Sequence, residues 1–149
     1  VRNEPNKAPS MVRVVIDTNI LVSALIKRGK PRKLVLKLLE EHTVILSRQM
    51  LAELADVLTR EKFAVKPSQV DRFLTILIRK SKIVKPSSHF KVIKEDPDDD
   101  VILNTAYAGK AQYIATGDKH LLALKDFKRT KIVKVKQIID SLNKIVSEH

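Results

Sequence analysis

VRVVIDTNILVSAL, residues 12–25, holds two structural periods joined at one acid. Val12–Ile16 is a β-branched run, short and almost wholly apolar, which is the pattern of a strand buried on both faces. From Thr18 to Lys27 the period changes. Ile20, Leu21, Ala24 and Leu25 share one helical face, and Gly29 and Pro31 then interrupt the pattern. Asp17 sits at the junction, where it can cap the helix or present a carboxylate beyond the strand's end.

The same alternation continues along the chain. Arg32–Glu41 reads as a second helix with Val35, Leu38 and Leu39 inward, and Thr43–Leu46 as a second strand. Ser47 can cap a helix over Arg48–Arg60 with Leu51, Leu54, Ala55 and Leu58 buried. Ser68 and Asp71 resemble a capping box for a helix to Lys80 that buries Phe73, Leu74, Leu77 and Ile78. Lys82–Lys85 is a third strand. The acidic loop 95–100 leads into a helix over Asp99–Gly109. Tyr113–Ala115 is a fourth strand, His120–Leu124 a short helix, Lys131–Val135 a fifth strand and Gln137–Val146 a closing helix. Helices alternating with short apolar strands predict a parallel sheet covered on both faces, with ligands beyond the strands' carboxyl ends.

The bulk properties bound the function. A chain of 149 residues, 44% hydrophobic and 31% charged, suits one globular domain with a real core. Residues 1–10 are polar with two prolines and read as a disordered tail or expression remnant, leaving 11–149 as the domain. Without cysteine there is no disulfide framework, thiol nucleophile or Cys-type zinc site. No apolar run approaches the roughly 18 to 20 residues of a membrane span, and with no signal peptide the expected compartment is the cytoplasm.

Lys plus Arg number 29 against 17 acids, a net charge of +12. Such a field draws polyanions, although a Lys-rich solvated surface would give the same sum. The cations cluster: Lys27, Arg28, Lys30, Arg32, Lys33 and Lys37 in one run, and Lys125, Lys128, Arg129, Lys131, Lys134 and Lys136 in another. Clusters of this kind suit phosphate contacts, with Lys128, Arg129 and Lys131 as RNA-binding candidates. Aromatics are only 4%, so bases are not expected to stack on a broad platform.

Against that positive field stand four acids. Asp17 and Asp118 each follow a strand, and each could be only a helix cap. Glu53 lies inside a helix beside its apolar stripe and could be a boundary residue paired with lysine. DPDDD (96–100) carries more acids than one helix cap needs. Converging carboxylates raise one another's pKa, and a hard divalent cation with oxygen ligands, Mg²⁺ or Mn²⁺, relieves that repulsion. Lys119 and His120 adjoin Asp118; a phosphate contact and a plain surface position are both open to them.

The segments VVIDTNILVSAL (14–25), LSRQMLAELADVL (46–58) and DPDDDVILNTAYAGKAQYIATGDKHLL (96–122), in this order, resemble the PIN domain. Within it they are most similar to the VapC-like toxin branch of toxin–antitoxin systems. The resemblance implies a three-layer α/β/α sandwich with a five-stranded parallel sheet and a Mg²⁺- or Mn²⁺-dependent ribonuclease. It also implies homodimerisation and silencing by a small antitoxin. Its catalytic acids fall on Asp17, Glu53, Asp99 and Asp118, with Asp17, Asp99 and Asp118 as metal ligands. Asp99 is preferred to Asp100 because Ile102 and Ala106 follow it at the family's spacing. Asn19, Thr116 and Asp96 match positions that orient these carboxylates. Other readings have discriminating features. An Asp-based phosphatase wants a second acid where Asn19 stands, a receiver domain would be phosphorylated on Asp17, and a non-catalytic RNA- or antitoxin-binding module would leave RNA intact.

Overall fold

A computed structural model describes residues 11–147, with residues 61 and 144–147 as backbone only; residues 1–10, where a disordered tail was expected, and 148–149 lie outside the described residues. The strands are β1 (Arg13–Ile16), β2 (Thr43–Ser47), β3 (Lys82–Val84), β4 (Tyr113–Ala115), β5 (Asp126–Phe127) and β6 (Thr130–Val133). The helices are α1 (Thr18–Ile26), α2 (Lys30–Glu41), α3 (Arg48–Leu58), α4 (Pro67–Lys80), α5 (Pro97–Gly109), α6 (Lys119–Leu124) and α7 (Val135–Ser147).

The sheet runs β3-β2-β1-β4-β6-β5, and its first five strands are parallel. Parallel strands need crossovers, and their right-handedness puts α1–α4 on one face of the sheet and α5 on the other. The chain builds outward from β1 to β3, then returns to lay β4 beside β1. That reversal is a topological switch point, and it lies between β1, which ends one residue before Asp17, and β4, which ends three residues before Asp118. The core is the sheet itself: Val14, Val15, Ile16, Val44, Ile45, Leu46 and Ile114 are completely buried.

Five parallel strands were expected, and the sheet has six. β5 pairs antiparallel with β6 through Asp126↔Lys131 and Phe127↔Thr130. It is two residues long, and the turn that returns it places Lys128 at φ 57. Glycine or asparagine normally marks such a turn, so a lysine there carries no signal. The last strand also ends earlier than expected and α7 begins at Val135, because Gln137 Oε1 accepts the Lys134 N–H at 2.9 Å.

α4 departs from its expected cap and face. Gln69 Oε1 accepts the Lys66 N–H at 3.1 Å, so the helix starts at Pro67 without a Ser68–Asp71 box. Val70 and Leu77, two turns apart, are its buried residues, while Phe73 and Leu74 are half-buried and Ile78 is 53% exposed. The apolar stripe is wider than the strip that α3 covers. The 27–37 cation run is partly structural. Arg32 donates to Ala24 O and Leu25 O at 2.8 Å each and so satisfies the end of α1, and Lys37 pairs with Glu41.

α5 lies close against the sheet at Gly109, where an added Cβ would sit 2.5 Å from Ile45 Cγ2. Ile45 is completely buried and cannot retreat. Gly109→Ala should therefore destabilise the protein by about 1 to 3 kcal/mol, read as a lower urea midpoint with an unchanged slope.

Candidate active site

Two short turns at the carboxyl edge of the sheet bring the acids together. Asp17 leaves β1 with its N–H bound to Ala115 O of β4 at 2.9 Å. Its Oδ1 accepts the Asn19 N–H at 3.0 Å, and its Oδ2 accepts the Thr116 hydroxyl at 2.7 Å. The Thr116 hydroxyl in turn accepts the Asp118 N–H at 3.0 Å. Asp118 Oδ1 takes the N–H groups of His120 and Leu121, closing the first turn of α6. One buried threonine thus sets the spacing of two acids that stand 101 residues apart in sequence.

Replacing that hydroxyl with a methyl leaves Asp17 Oδ2 buried without its donor. Thr116→Val should cost about 1 to 3 kcal/mol of stability in a denaturant titration, well beyond the effect of an isosteric surface change.

Both cap readings of Asp17 and Asp118 are therefore satisfied, and the carboxylates still face other acids. Asp96 caps α5 by accepting the Asp98 N–H at 3.0 Å. Asp99, three residues on, is 5% exposed, and its Oδ2 is buried with no hydrogen-bond partner among the described residues. Carboxylate oxygens of Asp96, Asp99 and Asp118 all lie within 4.8 Å of one another. Asp96, read from sequence as an orienting residue, thus stands among the three, and Asp17 adjoins them as a charged neighbour. Asp100 points elsewhere: its Oδ1 accepts the N–H groups of Val92 and Ile93 at 2.9 Å and ties the loop before α5 to the helix.

Glu53 comes from the middle of α3 and accepts the Thr18 hydroxyl at 2.6 Å. The sequence offers one cue to Thr18, its place immediately after Asp17 at the start of α1. Asn19 is exposed and acts on Asp17 through its backbone N–H, an action that does not depend on its side chain.

The electrostatics follow from burial and crowding. Desolvation, then the negative charges of Asp118 and Asp96, pushes Asp99 from 3.8 up to about 7. Burial also raises Asp17, against the hydrogen bonds from Asn19 and Thr116 that favour its charge. Burial raises Glu53, with Asp98 and Asp17 adding to the effect. A buried carboxylate oxygen without a donor, inside an all-oxygen set, fits a hard divalent cation such as Mg²⁺ or Mn²⁺.

The cations divide between the two edges of the sheet. Lys119 opens α6 beside the acids. Lys131 pairs with Tyr113 at the amino edge, and Lys128 and Arg129 form the turn just before it. These three residues therefore lie at the opposite end of the sheet from the acids. Nearer the site, a groove of about 660 Å³ runs between Ser47 and Gln49 on one side and His89, Lys91, Lys94 and Pro97 on the other.

Comparison with known proteins agrees with this architecture. An uncharacterized protein of Methanocaldococcus jannaschii is 32% identical over 91% of this chain and 95% of its own length. A chain in the crystal structure of VapBC2 from Rickettsia felis, bound to a DNA fragment from its promoter, superposes with a TM-score of 0.57 at 18% identity. That match covers 82% of this chain and 98% of the other. Among the described residues, no helix is long and apolar enough to cross a membrane. The sequence profile of the PIN domain matches residues 13–120, the span that contains all the acids of this site, and the chain belongs to the PIN domain family.

Proposed function

We propose that this PIN domain is a metal-dependent ribonuclease that hydrolyses RNA phosphodiesters at the Asp17–Glu53–Asp99–Asp118 site, with Asp96 as a further ligand. The observation that carries the reading is the orphaned Asp99 Oδ2 within a cluster of carboxylates, on a protein of net charge +12. Asp96, Asp99 and Asp118 would hold Mg²⁺ or Mn²⁺. When bound, such an ion supplies positive charge to the phosphate and acidifies water.

The chain's own residues do the rest. Thr116 keeps the Asp17 and Asp118 turns in register, so that the ligand set does not have to reorganise on binding. Asp17, with both oxygens held by donors, adds fixed negative charge beside the three ligands. Glu53, oriented by Thr18, is the carboxylate available to take a proton from the attacking water. Lys119 at the acid edge and Lys91 and Lys94 in the adjoining groove meet phosphates on either side of the scissile bond.

The VapBC2 likeness and the family support a reading as the toxin half of a toxin–antitoxin pair, with a small antitoxin as partner. A homodimer would cover apolar side chains left open on α2 and α4: Leu36 is 56% exposed, Ile76 41% and Ile78 53%. An Asp-based phosphatase is disfavoured, since Asn19 occupies the position where that chemistry places its acid/base.

Incubation with single-stranded and structured RNA should give cleavage with Mg²⁺ or Mn²⁺ and none with chelator. Intact RNA at every metal concentration, with the protein folded, would leave only the binding-module reading.

A further inference from the structure

The amino edge of the sheet carries a second feature that the acidic site does not use. A cavity of about 860 Å³ opens there between the end of α5 and the β5–β6 turn. Its walls hold four cations, Arg13, Lys110, Lys128 and Arg129, and no carboxylate. None of the four pairs with an acid among the described residues.

The cavity is built rather than incidental. Arg13 Nε donates to Lys110 O at 2.8 Å, which fixes the guanidinium and leaves its terminal nitrogens for a ligand. Arg13 N–H is held by Gln112 Oε1 at 2.9 Å, and the buried Thr130 hydroxyl by Ala111 O at 2.7 Å. Lys128 stands over the rings of Phe90 and Phe127, 5.0 and 5.7 Å from their centroids, so its ammonium is restrained as well. Lys110 and Lys128 both adopt positive φ, 53° and 57°, at the ends of α5 and β5. Beside them Tyr107, packed edge-on against Phe90, is 50% exposed.

We infer that this cavity is a second RNA-binding site, in which Arg13, Lys110, Lys128 and Arg129 hold backbone phosphates and Tyr107 stacks on a base. Cations alone would serve an acidic peptide equally well. An exposed ring among them favours a single-stranded nucleic acid, whose bases offer a face to stack. The inference rests on the proposal that the substrate is RNA, and it adds that the substrate is long.

The geometry sets a length. The edges of the sheet are separated by strands of three and four residues, about 10 to 13 Å at the usual rise. At about 3.4 Å per phosphate, the rise of a stacked strand, that straight-line distance corresponds to about three to four nucleotides, and a path over the surface takes more.

The test is binding in chelator, which does not depend on cleavage. Oligouridylates of about 2 nucleotides, too short to reach both edges, and of about 20 are titrated by fluorescence anisotropy at several salt concentrations. The Arg13, Lys110, Lys128 and Arg129 to Gln quadruple variant should lower the salt slope for the long RNA by about 2 to 3, at about 0.7 per lost phosphate. The exposed pair Lys128→Gln and Arg129→Gln, which leaves the Arg13 anchor intact, should lower it by about 1 to 1.5. Tyr107→Ala should weaken long-RNA binding about tenfold, and Tyr107→Phe should restore it. Iodouridine crosslinks should reach Tyr107 or the 126–131 turn.

Unchanged slopes in the folded pair variant, with crosslinks confined to the acid edge, would overturn the inference. So would selective binding of polyglutamate over oligouridylate at this cavity, which would make it a protein-docking site. Absence of RNA cleavage would remove the nuclease reading and leave these binding results standing.

Discussion

Asn in place of Asp99 should reduce metal-dependent RNA cleavage by at least about a thousandfold and, in the same molecule, make the metal-free protein more stable at pH 8. The two effects have one cause. Asp99 is buried, its Oδ2 has no donor among the described residues, and burial with the charges of Asp118 and Asp96 holds its carboxyl up to about 7. Ionised without a cation, it opposes folding. Asparagine keeps the shape and removes the charge, which should add about 1 to 3 kcal/mol, or about 3 to 8 °C in Tm. Asp100→Asn is the control. Its carboxylate holds the backbone at Val92 and Ile93, so the change should loosen that loop with a far smaller loss of cleavage than at Asp99. Equal losses at both positions would count against the assignment of Asp99.

The second large effect is the dependence of metal stabilisation on pH. Asp99 has a folded pKa of about 7 against 3.8 in the ordinary carboxylate. Between those values the folded protein holds a proton that the unfolded chain has released. Metal-free stability therefore falls as pH rises through this window, and the loss is complete above about 7. The raised pKa values of Asp17 and Glu53 act in the same direction. Divalent cations need the ionised carboxylates and so stabilise most where the metal-free protein is weakest. At a hundred times the dissociation constant, Mn²⁺ should add about 2.7 kcal/mol at pH 8, about 6 to 10 °C in Tm, and little at pH 5. Thermal scans with and without Mn²⁺ across this range read the effect. A shift of equal size at both pH values would place the ion away from the acids.

Much of the molecule was legible in its sequence, for physical reasons that can be named. The β-branched run before Asp17 and the change of period after it identify β1 and α1, because a strand buried on both faces has no polar alternative. The preference for Asp99 over Asp100 comes from the spacing of the family the chain resembles, with Ile102 and Ala106 following it, and the fold gives that spacing a physical counterpart. Ile102, Leu103 and Ala106, which share the face of Asp99, are all buried, whereas Asp100 shares a face with Asn104, which binds the loop at Ser88 and Phe90. What stayed hidden depended on tertiary contacts. The β5–β6 hairpin turns on a positive-φ lysine that has no sequence signature. Asp96 was expected to orient the other carboxylates, and only the folded chain shows its own among those of Asp99 and Asp118. The 27–37 and 125–136 runs look alike as strings of cations. The fold spends Arg32 on the end of α1 and sends Lys128 and Arg129 to the edge opposite the acids.

The carboxylates of Asp96, Asp99 and Asp118 are proposed to form a divalent-cation site. Crystals soaked in Mn²⁺ and measured at its absorption edge test it most directly. An anomalous peak is expected within about 2.0 to 2.4 Å of Asp99 Oδ2, with Asp96 or Asp118 as a further ligand. A well-ordered site at millimolar Mn²⁺ with no peak there, or a peak bound only by surface residues elsewhere, would contradict it.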